Sequence, residues 1–196
     1  MLVAARDAGV KRFLFASTSA IYGDDPTPAK LETLPPRPLS PYGLQQFAAE
    51  KYCQIFHQLY GLETGSFRHF NVFGPRQSFD SPYSGVIAKF CTLLLAGKAP
   101  SIFGEGLQSR DFIYVENVAH ANLLGAEGAA AKVAGGVFNV GGGASINLLQ
   151  LLGVLNELTG QRLEPQFQPA RAGDVRHSLA DISSAQRGLG YSVKVD

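Results

Sequence analysis

The chain has 196 residues, of which 45% are hydrophobic and 17% charged. Charge so far below the globular average of about 25% belongs to a chain with a packed core and excludes a solvated, disordered tail. A net charge of +1 with a pI near 7.8 gives no electrostatic reason to bind nucleic acid or an anionic membrane. Cys53 and Cys91 both fall in apolar helical patterns and match no metal-ligand or redox spacing. Two buried free thiols are therefore expected, with no metal site, and they suit a reducing cytoplasm. The most apolar stretch, residues 86–96, is too short for a membrane span and carries Lys89. Arg6, Asp7 and Lys11 interrupt the start of the chain before a signal-peptide core builds up.

Residues 1–8 read as the end of a helix capped by Gly9, and residues 11–16 (KRFLFA) as a buried parallel strand. Residues 23–38 hold five of the eleven prolines and are loop. Ser40-Pro41 then opens a helix, with Ser40 as N-cap and Pro41 at the first helical position. Its apolar face is expected at Leu44, Ala48, Tyr52, Ile55 and Leu59, and its end at Gly61. A strand follows over residues 64–70, so strand, helix and strand alternate as in a parallel α/β fold. Beyond a loop at Gly74-Pro75, a helix is expected over residues 85–96, with short strands over 101–103 and 112–114. Further on, the pattern predicts a helix over 115–126, a strand over 137–140 and a turn at Gly141-Gly142-Gly143. Asn147 and Gln150 form a capping box for a helix that ends at Gly160, and residues 183–187 form a short helix.

Three local patterns carry chemistry. The first strand runs into Ser17-Thr18-Ser19-Ala20-Ile21-Tyr22-Gly23, and hydroxyls at the carboxyl end of a parallel strand lie where open α/β sheets bind ligands. Turn chemistry alone also accounts for such a run. Tyr42, within Ser40-Pro41-Tyr42-Gly43, sits in a helical first turn, where the dipole favours a phenolate, and Gln46 lies one turn further along the same face. Arginines stand in glycine-flanked or polar loops at Phe73-Gly74-Pro75-Arg76, Ser109-Arg110-Asp111-Phe112 and Arg171-Ala172-Gly173-Asp174. Their fork geometry suits phosphate, although single loop arginines are commonly just solvated.

In this order and spacing, over essentially the whole chain, these motifs resemble the extended short-chain dehydrogenase/reductase family of NAD-dependent epimerases and dehydratases. UDP-glucose and UDP-N-acetylglucosamine 4-epimerases are the nearest likeness. The resemblance implies an α/β fold: a truncated Rossmann-like parallel sheet plus a small α/β substrate-binding domain. Residues 1–75 would be the remnant of the NAD-binding domain, and 76–196 mainly the nucleotide-sugar domain, with some later segments returning to the first. Thr18 matches the hydroxyl that hydrogen-bonds the sugar, and Tyr42 the tyrosine that takes the proton from its 4-hydroxyl. Tyr42, position 46 and Phe70 match cofactor-binding positions. Asn71 matches a contact to the nucleotide sugar, Phe103 a contact to uracil, and Arg110, Arg171 and Asp174 the diphosphate site. His69, His120 and His177 match no family role and read as packing or surface residues. The resemblance further implies a UDP-sugar substrate and a homodimer formed through the helix ending at Gly9 and the Tyr42 helix.

Two departures bear on activity. The family has lysine four residues after its tyrosine, and Gln46 stands there, an amide that can hydrogen-bond a ribose but supplies no charge. The family's G-x-x-G-x-x-G turn, which seats the NAD pyrophosphate, is not in these 196 residues. Most of the cofactor half is thus expected to be missing, the first strand to expose an unpaired edge, and the chain alone to be inactive. Two other readings are a non-catalytic remnant that still binds UDP-sugar, and a cofactor-free hydrolase using Ser17 or Thr18 with Tyr42.

Overall fold

The structure is a computed structural model that describes residues 1–80, 85–171 and 175–195. The chain runs through α1 (Leu2–Asp7), β1 (Arg12–Thr18), a 3-10 turn (Ser19–Tyr22), α2 (Pro41–Tyr60), β2 (Glu63–His69) and β3 (Asn71–Phe73). It continues through α3 (Val86–Leu95), β4 (Ser101–Phe103), β5 (Ser109–Arg110), β6 (Phe112–Tyr114), α4 (Val115–Glu127) and α5 (Ala130–Val133). Last come β7 (Gly136–Val140), β8 (Ile146–Asn147), α6 (Leu148–Thr159), β9 (Gln166–Gln168) and α7 (Ser183–Leu189).

The fold is α/β. Its main sheet has the order β1-β2-β7, all parallel, with Thr18, His69 and Val140 in register at the carboxyl ends. Three two-stranded pairs lie outside it: β3 with β6 and β4 with β9, both parallel, and β5 with β8, antiparallel. The central strand β2 is buried from Thr64 to Arg68, and a small residue stands where α4 crosses it. At that crossing, a Cβ on Gly125 of α4 would lie 2.4 Å from the Phe67 ring, so only glycine lets α4 come this close to the sheet.

Local signals set the helix ends. Ser40 accepts the Gly43 amide at 3.1 Å with Pro41 at the first helical position, and α2 stops at Gly61 in a left-handed conformation. Asn147 and Gln150 form the reciprocal capping box of α6. Two apolar cores result. One packs Phe67 and Phe138 of the sheet against Ile113, Ala121, Val133, Leu189 and Tyr191. The other joins Phe90 and Leu94 of α3 to Ile102 of β4 and to Leu148, Leu151, Leu152 and Leu155 of α6. The first core draws on residues 67 to 191, so it is not one continuous stretch of chain.

Two sequence expectations are corrected. The predicted apolar face of α2 is not its buried face: Leu44, Tyr52, Ile55 and Leu59 are exposed, and Gly43, Glu50 and Cys53 are buried. The buried Glu50 is the cause, because a charged residue that is paired in the interior breaks the pattern that a hydropathy count follows. Cys53 is buried as expected, whereas Cys91 is only half-buried.

Candidate functional site

A cavity of about 360 Å³ opens at the carboxyl ends of β1 and β2, with Thr18, Ser40, Phe70, Asn71, Arg110, His177 and Ser178 in its wall. This is the edge of a parallel sheet at which ligands bind. Thr18 ends β1, and its hydroxyl accepts the Ala20 amide at 3.2 Å, which fixes the side chain at the mouth of the 3-10 turn.

Ser17 points elsewhere. It is 4% exposed, and its hydroxyl donates to Glu50 Oε1 at 2.5 Å. Arg68 closes the same network, donating to both Glu50 oxygens at 2.9 and 2.8 Å while its guanidinium lies 4.9 Å from the centre of the Tyr22 ring. Tyr22 in turn donates to Asn139 Oδ1 at 2.7 Å, and burial pushes its phenol up to about 12. Of the two hydroxyls in the hydrolase reading, Ser17 belongs to a buried tie between α2 and the sheet and is not presented to the cavity, whereas Thr18 lines it.

Tyr42 is 46% exposed in the first turn of α2 and is not part of the cavity wall. Gln46 donates its side-chain amide to the Tyr42 hydroxyl at 3.2 Å, so the helical spacing brings the two together as the sequence suggested. Asn71 opens β3, and its side-chain amide donates to the Asp111 carbonyl at 3.1 Å. Arg110 Nη1 donates to the Ser109 carbonyl at 2.9 Å and to the Arg176 carbonyl at 3.4 Å, which folds its guanidinium along the strand beside His177.

Asp111 holds this wall in place. Fully buried, its carboxylate accepts the amides of Gly142, Gly143 and Ala180 at 2.7, 3.1 and 3.0 Å. Burial pushes its carboxyl above the ordinary range, and the three N–H donors offset part of that rise. A Cβ on Gly142 would lie 2.8 Å from the Phe112 carbonyl oxygen, so the glycine cluster is a turn cut to fit around Asp111. Arg76 has φ +66°, a left-handed conformation that costs a non-glycine residue about 1 kcal/mol or more.

A second cavity, of about 410 Å³, shares Val175 with the first and contains Phe103, Glu105, Gln108, Arg171 and Arg176. The Arg171 guanidinium stacks on the Phe103 ring, 3.5 Å from its centroid. Asp174 lies outside the described residues.

Two residues of the cavity wall, and one buried residue outside it, had no signal in the sequence. Lys30 lines the first cavity at 2% exposure, with Nζ donating to the Asp25 and Thr27 carbonyls at 2.5 and 2.6 Å. His177 hydrogen-bonds Ser109 Oγ through Nδ1 at 3.0 Å. His69 has a buried Nε2 without a partner among the described residues. No local spacing marks these three, because their partners lie elsewhere in the chain or are backbone atoms.

Residues 1–141 match the model of the NAD dependent epimerase/dehydratase family. The UDP-glucose 4-epimerase of Thermotoga maritima, solved with UDP-glucose, is 40% identical with a TM-score of 0.94, over 100% of this chain and 62% of that one. For the UDP-N-acetylglucosamine 4-epimerase of Methanobrevibacter ruminantium, solved with UDP-N-acetylmuramic acid, identity is 39% and the TM-score 0.91, over 99% of this chain and 61% of that one. The Thermus thermophilus UDP-glucose 4-epimerase, solved with NAD, gives 35% and 0.86, over 100% and 63%. The chain spans about three fifths of the length of its curated relatives. No helix among the described residues is long and apolar enough to cross a membrane. With the match covering well over half of the chain, it belongs to the NAD-dependent epimerase/dehydratase family.

Proposed function

We propose that this chain is the sugar-nucleotide-binding part of a cytoplasmic, NAD-dependent UDP-hexose or UDP-N-acetylhexosamine 4-epimerase, and that it does not turn over substrate by itself. The observation that carries the reading is that Thr18, Asn71 and Arg110, from separate strands, line one cavity at the carboxyl edge of the sheet. Thr18 would hydrogen-bond the sugar, Asn71 would contact the nucleotide sugar, and Arg110 with Arg171 would hold the diphosphate. Asp174 would belong to the same site. Phe103 offers an aromatic face to the uracil, and Arg171 now rests on that ring.

NAD fits these residues at one end only. Tyr42, Gln46 and Phe70 would meet its nicotinamide ribose, with the Gln46 amide 3.2 Å from the Tyr42 hydroxyl. The glycine-rich turn that cradles a pyrophosphate is not in the sequence. When bound, NAD supplies hydride acceptance and return. Tyr42 would move the proton of the 4-hydroxyl, with Gln46 donating to its oxygen in place of the lysine charge.

The homodimer expected from the resemblance would use the exposed apolar face of α2 together with α1, where Arg6 lies 4.7 Å from the centre of the Tyr60 ring.

Calorimetry and a coupled epimerase assay test the proposal. UDP-N-acetylglucosamine is expected to bind, NAD not to bind, and turnover to be absent. Absence of UDP-sugar binding would overturn the recognition reading, and turnover by the chain alone would overturn its incompetence. Gln46→Lys is expected to raise turnover only when a dinucleotide-binding part is supplied in trans.

A further inference from the structure

We propose that His177 is a further contact for the diphosphate of the nucleotide sugar, and that it makes binding tighter as the pH falls. The inference rests on the reading of the cavity as a UDP-sugar site. His177 lies in the wall of that cavity together with Arg110, Thr18 and Asn71. Its backbone runs beside that of Ser109: the Ser109 amide donates to the Arg176 carbonyl at 3.0 Å, and the Ser178 amide to the Ser109 carbonyl at 3.1 Å. The side chains add a bond of their own, since Ser109 Oγ and His177 Nδ1 are 3.0 Å apart. The imidazole is thus held through one nitrogen, next in the chain to Ser178 and across from Arg110, and its other nitrogen has no hydrogen-bond partner among the described residues.

The charge around it favours an anion. Arg110 faces His177 from β5 and Arg176 precedes it on its own segment, while Lys30 comes to the same cavity with its Nζ already bonded to the Asp25 and Thr27 carbonyls. Among the described residues the acids nearby are Asp24, whose carboxylate accepts the Arg176 amide at 3.4 Å, and Glu105, which lines the adjoining cavity with Arg176. No carboxylate lines the first cavity among the described residues. Imidazole is the side chain that changes charge across neutral pH, and protonation turns a hydrogen-bond donor into a cation beside a diphosphate. A UDP-sugar diphosphate is a diester that keeps its charge throughout this range, so a pH dependence of binding reports on the protein.

The test is the dissociation constant of UDP-N-acetylglucosamine at about pH 6 and about pH 8, for the native chain, His177→Gln and Ser109→Ala. Native binding is expected to be about fivefold tighter at the lower pH, the factor that an exposed ion pair reaches at its upper end. His177→Gln, which keeps a donor but cannot titrate, is expected to lose that ratio while staying near native affinity at the higher pH. Ser109→Ala is expected to weaken binding at both, because the ring loses its anchor. Uridine, which has no phosphate, is expected to show no ratio in any variant. Melting curves at both pH values separate lost contact from lost fold. An unchanged ratio in His177→Gln, a ratio of one in the native chain, or the same ratio with uridine would each overturn the assignment. Failure of the native chain to bind at either pH would instead bring down the recognition reading, and this inference with it.

Discussion

A histidine at the carboxyl end of β2 stores a pH dependence of its own, separate from that of the cavity. His69 has an Nε2 with no partner among the described residues, and burial pulls its imidazole down from 6.5 to about 4. The folded state therefore holds this ring neutral while the unfolded chain protonates it near its ordinary value. Its contribution to stability is complete above about pH 6.5 and is lost as the pH falls toward about 4, because there the unfolded state binds the extra proton. The shift is worth at most about 3 kcal/mol. Urea unfolding at about pH 5 and about pH 7.5 is expected to show the native chain losing roughly 1–2 kcal/mol that His69→Leu does not lose. An equal loss in both proteins would assign the acid sensitivity to other groups.

At the scale of the element, α2 is fastened to the sheet by charge more than by apolar packing. Glu50 and Arg68 are 1% and 4% exposed, and together with Ser17 they tie the helix carrying Tyr42 to the strand carrying Thr18. Burial alone disfavours the Arg68 charge, and its bond to Glu50 more than restores it. Glu50→Ala would leave a buried guanidinium without its counter-ion, and a loss of about 3–5 kcal/mol is expected in chemical denaturation. The pair Glu50→Leu with Arg68→Met is expected to recover most of that loss, because two apolar side chains leave no stranded charge. A double variant as unstable as the sum of the singles would contradict this account.

The same network explains what could be read in advance. Helix ends were legible because Ser40, Pro41, Asn147, Gln150 and Gly160 act on atoms a few residues away. Longer strands were legible for the same reason, whereas β5 and β8, at two residues each, are too short to show a period. Thr18, Asn71 and Arg110 could be picked out because they stand in recognisable local runs. Glu50, Lys30 and His177 could not, since Glu50 meets Arg68 across 18 residues and His177 meets Ser109 across 68.

At the scale of the whole molecule, the mistaken face of α2 becomes informative. Tyr52, Leu59 and Tyr60 are 61%, 68% and 50% exposed on one helix, with Val3 of α1 at 52%. Apolar surface of this kind is what a subunit interface would cover. If the proposed homodimer forms there, sedimentation at micromolar concentration is expected to find a dimer for the native chain and a monomer for Tyr52→Glu/Leu59→Glu, with melting behaviour otherwise retained. A native monomer would count against it.

The main sheet has two outer strands, and they differ. On β7 the Asn139 amide donates to the Glu32 carboxylate at 2.7 Å, so a side chain has taken the place of a neighbour. On β1 no strand among the described residues pairs the outer side. A two-fold axis set perpendicular to β1 at that edge would bring a copy of the strand alongside it running the opposite way. Every ladder in this sheet runs one way. A strand that continues the sheet's polarity must come from a non-equivalent segment, with a crossover of a dozen or more residues covering one face. The open edge is thus directional: it distinguishes a complementary segment from a duplicate by the sense in which each can run.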